Sequence, residues 1–217
     1  MSPLSVWSAS QSNGDIESVD PENPNIIFDD RQLLEGYAKK FANFSKEDLT
    51  QMIQDDSVTS YKMAAAVRVF EQKFSQDIVM PEKKDVEKWL FRRLNHNSSP
   101  FVEIEVAYTL CRMDRYHYFE SLVPVLIHRL NHYSAAVNDI AYERLNSIIE
   151  CGNNRPREAR IVFESLRAMF FLTRKNLAET PEMTPKIKNK IKILRWSIKV
   201  LGIEELQRLP SEVIHLL

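Results

Sequence analysis

The tetrapeptide Arg93-Leu94-Asn95-His96 recurs as Arg129-Leu130-Asn131-His132, and each copy is followed by the same apolar skeleton. After the first copy come Val102, Val106, Ala107 and Leu110; after the second come Val137, Ala141, Tyr142 and Leu145, with identical internal steps. The copies lie 36 residues apart before the intervening loop and 35 after it. Apolar positions at helical spacing inside a repeat of this length describe one helical hairpin used more than once, and such units cover their apolar faces by stacking on each other. The pattern extends backwards, because Ile53, Tyr61, Ala65 and Val69 share the spacing of Leu94, Val102, Val106 and Leu110. It predicts hairpins at about 46–75, 83–113 and 118–151, followed by helices near 156–176 and 185–202.

Local punctuation agrees with this division. Asp29-Asp30 is placed to cap a first helix whose apolar side is Leu33, Leu34, Tyr37 and Phe41. Ser45 precedes Glu47, Asp48, Leu49, Met52 and Ile53, the signature of a short capped helix. Farther on, Pro181 stops one helix, Thr184 caps the next and Pro185 suits its first position. Ile78, Val79 and Met80, in the linker ending at Pro81, are expected to tuck against the stack. The chain has four glycines, too few for a protein built on many tight turns or for a glycine-rich phosphate loop. The predicted fold class is all-α.

Two hairpins carry a family resemblance. Leu90, Leu94, Asn95, Pro100, Val102, Val106, Ala107 and Leu110 fit the pattern of a HEAT repeat. Leu122, Pro124, Leu126, Leu130, Asn131, Val137, Ala141, Leu145 and Ile148 fit it again. The chain therefore resembles the HEAT-like helical repeat family over about residues 46–151. The resemblance implies a right-handed α-α superhelical stack of hairpins whose concave face receives helices or peptides of a partner. The family's usual Asp in the turn and Arg after the Val are replaced here, since Glu103 and Asn138 follow the valines and His96 and His132 stand in the turns. A short, divergent stack without a regular hydrogen-bond ladder is expected.

Residues 1–28 are rich in Ser, Asn, Asp, Glu and Pro and poor in apolar side chains, the composition of a disordered acidic tail. Residues 29–217 are predicted to form a single helical domain. Charge is graded along the chain: 4 basic and 11 acidic residues over 1–56, 12 and 12 over 57–153, and 13 and 7 over 154–217. Ends of opposite sign point either to mutual contact or to separate charged partners. Two cysteines, Cys111 and Cys151, both close apolar helical runs; they are too few for a disulfide framework and suit a reducing, cytoplasmic setting. No segment approaches the ~20 apolar residues of a membrane helix, and the N-terminus has no secretory pattern.

The strongest functional lead is the last long helix. Lys188, Lys192, Arg195 and Lys199 recur at steps of four, three and four beside an apolar stripe of Ile187, Ile191, Leu194, Ile198 and Leu201, with Trp196 on the far side of the basic stripe. Lys188, Lys192, Arg195, Trp196 and Lys199 are the candidate partner-binding residues, and an acidic protein or peptide is the expected partner.

Other groups have simpler readings. His128 and His132 have the i, i+4 spacing of a metal pair, but a position at a helix C-terminus accounts for them. Glu103 with Glu105 and Asp55 with Asp56 point apart on a helix and read as a solvated face and a turn. Cys111, next to Leu110, belongs inside. No catalytic, cofactor-binding or metal-binding residue is assigned, and no His-Glu dipeptide of the kind that binds iron in HEAT-like hydroxylases occurs. The expected function is a non-enzymatic interaction module or scaffold. Second in rank is nucleic-acid binding, resembling the HEAT-like DNA alkylation-repair glycosylases and using the basic C-terminal helix.

Overall fold

The computed structural model describes residues 30–96, 99–132, 134–150, 156–178, 185–201 and 211–215. Every regular element among them is a helix: α1 (Asp30–Phe41), α2 (Lys46–Gln54), α3 (Ser60–Phe74), α4 (Glu82–His96), α5 (Pro100–Met113), α6 (Arg115–Arg129), α7 (Ala135–Glu150), α8 (Pro156–Ala178), α9 (Pro185–Leu201) and α10 (Ser211–Ile214). The protein is all-α, and no described helix is long and apolar enough to cross a membrane. The expected tail at 1–28, Cys151 and the Pro181–Thr184 punctuation lie outside the described residues. The helices fall into two compact units, divided between Met113 and Asp114.

In the first unit α3 is central, with α1, α2 and α5 all packed against it, while α4 packs on α5 and α2. Neighbours on several sides demand small side chains, and α3 supplies Ala64, Ala65 and Ala66, all fully buried. Helix α5 is enclosed nearly all round: Phe101, Val102, Ile104, Val106, Ala107, Leu110 and Cys111 are buried, the signature of a helix that is apolar on more than one face. Each large apolar side chain so enclosed contributes about 1.5–3 kcal/mol. The short α2 is held by a capping box in which Ser45 Oγ accepts from the Asp48 amide at 3.1 Å and the Ser45 amide donates to Asp48 Oδ2 at 3.2 Å. Arg93 reaches from α4 to the end of α2, donating to the Ile53 carbonyl at 2.7 Å and pairing with Asp56 at 2.5 Å.

Two local expectations are overturned here. Glu105 is not on a solvated face: it is completely buried on α5 and paired with Arg68 of α3. The sequence spacing to Glu103 is silent about the neighbouring helix, which brings the cation. Val79 and Met80 do not tuck in; both are exposed, because this linker crosses the surface between α3 and α4.

In the second unit α6 packs on α7 and α8, and α8 carries α9 and α10. Asp114 caps α6 by accepting from the His117 amide at 3.0 Å. Arg115 ties three helices together. Its Nη1 donates to the Ile148 carbonyl at 2.8 Å, its Nε meets Glu158 at 3.0 Å and its guanidinium lies 4.7 Å from the Phe119 ring centre. Ala141 and Leu145 of α7 are fully buried, and Val137 nearly so.

Candidate partner-binding surface

Helix α9 is built from the residues that its sequence pattern singles out. Ile187, Ile191 and Leu194 join Phe170 and Leu177 of α8 in one apolar cluster, with Ile198 packed against it. Ile193 and Trp196 are buried on another side. Trp196 Nε1 donates to Asn146 Oδ1 of α7 at 2.8 Å, and its ring lies 5.1 Å from that of Tyr142. Trp196 is thereby engaged in the chain's own packing. Lys190, which no stripe in the sequence singles out, is also buried.

What remains exposed on α9, among its described side chains, is Lys188, Lys192 and Arg195. All three are cationic and lie along one stripe, rising about 10 Å along the axis from Lys188 to Arg195 at ~1.5 Å per residue. That span is close to a Debye length of ~8–10 Å at moderate salt, so their fields add. Lys199 lies farther along the same helix, and its side chain is outside the described set. Lys192 Nζ meets Asp139 Oδ1 at 2.6 Å and sits 4.9 Å from the Tyr142 ring centre. Both partners of that ion pair are well exposed, so it is worth about 0–1 kcal/mol and is open to exchange with another carboxylate.

The remaining candidates take structural places. His128 is exposed near the end of α6, whereas His132 stands in the following turn, its Nδ1 accepting from the Ser134 amide at 3.1 Å. No group of three His, Cys, Asp or Glu among the described residues could hold a metal ion. Cys111 is a buried thiol outside any disulfide. Asp55 accepts from Ser57, whose backbone and hydroxyl hold its carboxyl below the usual aspartate range, and Asp56 faces Arg92 and Arg93.

One feature was not read from the sequence. On α8, Arg167 lies between Phe163 and Phe171, with its guanidinium 5.4 and 5.7 Å from the two ring centres. The i, i+4, i+8 spacing of these residues was the available signal, and it was masked by the apolar run Ala168-Met169-Phe170-Phe171-Leu172, which reads as core throughout. Met169 and Phe170 are buried, but Phe171 and Leu172 face out. The chain matches no protein-family model, no curated protein and no solved structure.

Proposed function

We propose that this chain is a non-enzymatic protein-interaction module of the HEAT-like kind, and that the exposed stripe of α9 takes an acidic segment of a partner protein. The observation that carries this reading is the enclosure of α9: its described side chains are packed over most of the helix, and those left to solvent are all basic. Cations on a helix clamped by Phe170, Leu177 and Asn146 are positioned in advance, so a partner loses less freedom in meeting them. Support for the HEAT-like reading comes from the helix order within the first unit, where α1, α3 and α5 lie side by side and α2 lies beside α4. A cytoplasmic setting suits Cys111, a thiol outside any disulfide.

Nucleic acid is the second reading, and the same cations would serve it. A duplex-binding protein commonly neutralises about 6–10 phosphates, more than one short stripe offers. The test is fluorescence anisotropy of the full chain with a glutamate-rich peptide and, separately, with a DNA duplex. The peptide should bind at low salt, lose affinity as salt rises, and be lost on Lys192→Glu/Arg195→Glu with helix content unchanged. Tighter, salt-steep binding of the duplex would replace the first reading with the second.

A further inference from the structure

The outer side of α8 and its neighbour α6 form a second surface, independent of the α9 stripe. The two helices run parallel: Phe119 and Ile161 share one opening between them, and Ile127 and Met169 share another farther along both helices. The first opening holds about 40 Å³ and the second about 260 Å³. They are eight residues apart on each helix, which at ~1.5 Å per residue is about 12 Å. Each opening is bordered by an exposed large apolar side chain: Tyr116, 75% exposed, at the first and Leu172, 45% exposed, at the second.

The charges beside the groove are asymmetric. At the first opening Glu120 and Arg157 neutralise each other in an ion pair. At the second, His128 stands at the rim and Lys175, one turn beyond Leu172, is exposed. The C-terminal end of the groove therefore has an exposed cation, Lys175, beside it, and the N-terminal end is balanced. Pro124, in the middle of α6, lines the second opening, and its ring offers an apolar surface without an N–H.

From this geometry we infer that the α6–α8 groove is the docking site for an amphipathic helix of a partner protein, with two bulky apolar side chains seven or eight residues apart and an acidic end. A helix repeats the same face every seven residues over ~10.5 Å, the spacing at which one side chain can lie over the shallow first opening, against Tyr116, while the other enters the larger one. Its acidic end lies toward Lys175, which sets the direction of docking. Ala168 is the small residue at the wall of the larger opening that leaves room for the second anchor.

The probe is a synthetic helical peptide with two leucines seven residues apart on an alanine–glutamine frame and two glutamates at one end, titrated against the full chain. The glutamate-ended peptide should bind about ten-fold more tightly than a lysine-ended version and than a version with one leucine moved by two positions. Ala168→Arg, which fills the larger opening, and Leu172→Asp, at an exposed site, should each weaken binding about ten-fold at unchanged melting temperature. Lys188→Glu/Lys192→Glu on α9 should leave the affinity within about two-fold, which separates this site from the α9 stripe. Equal binding of the register-shifted peptide, or indifference to both groove variants, overturns the inference. So does loss of binding on the α9 variant, which would place the peptide on that helix. Self-association of the chain that Leu172→Asp abolishes would assign the groove to a second copy instead.

Discussion

Arg68 of α3 grips a single oxygen of Glu105 on α5, with Nε at 3.0 Å and Nη2 at 2.6 Å from Oε1, and Glu105 is fully buried there. The same two helices carry a second pair of opposite direction, Glu71 of α3 with Arg112 of α5 at 3.3 Å. Two crossed ion pairs fix how α3 and α5 face each other, since sliding either helix by one turn would separate both. Removing one partner of a buried pair leaves an uncompensated charge in a poorly solvated place. Arg68→Met should therefore destabilise the first unit by about 3–5 kcal/mol in urea unfolding, while Arg68→Met/Glu105→Leu should recover most of that loss. A double variant no better than the single one would show that the pair contributes net stability of its own.

Ala107 and Ala141 are completely buried on α5 and α7. Leucine at either site adds volume where the packing leaves none, and each substitution should cost about 1–3 kcal/mol. Variants that melt like the parent would mean that the surrounding helices can separate at no expense.

Trp196 joins α9 to α7 through one hydrogen bond and a large buried ring. Trp196→Phe keeps most of the ring but leaves Asn146 without its donor, a loss of about 1 kcal/mol, whereas Trp196→Ala should cost about 3–5 kcal/mol. Comparing the two by chemical unfolding separates the bond from the packing. Equal losses would mean that the indole N–H dominates.

Asp48 supplies a pH-dependent element. The Ser45 hydroxyl, and then the Ser45 backbone amide, hold its carboxyl below the usual aspartate range. A depressed folded-state value means that the cap's contribution is present above the ordinary aspartate pKa and is lost as pH falls through the folded one. By NMR, Ser45→Ala should move the Asp48 titration up towards the ordinary range and lower the protection of the α2 amides at neutral pH. An unshifted titration would show that the capping box does not set it.

The sequence alone determined the helices of this protein. Apolar spacing over Val102–Leu110 and Val137–Leu145, Ser45 before α2 and Pro185 at the start of α9 are local signals, and α3, α5, α7 and α9 begin and end within a few residues of where those signals put them. The exposed cations Lys188, Lys192 and Arg195 of α9 were equally legible from their spacing beside the apolar stripe, whereas the burial of Trp196 was not, because its partners Asn146 and Tyr142 come from α7. Tertiary structure decided what periodicity cannot carry. Glu105 is inside because Arg68, 37 residues away in the chain, arrives on the neighbouring helix. Phe171 and Leu172 are outside although the run Ala168–Leu172 is uniformly apolar, since only the positions of α6 and α9 select which part of α8 is covered. Burial is a property of neighbours, and neighbours distant in sequence leave no mark on a helix's own spacing.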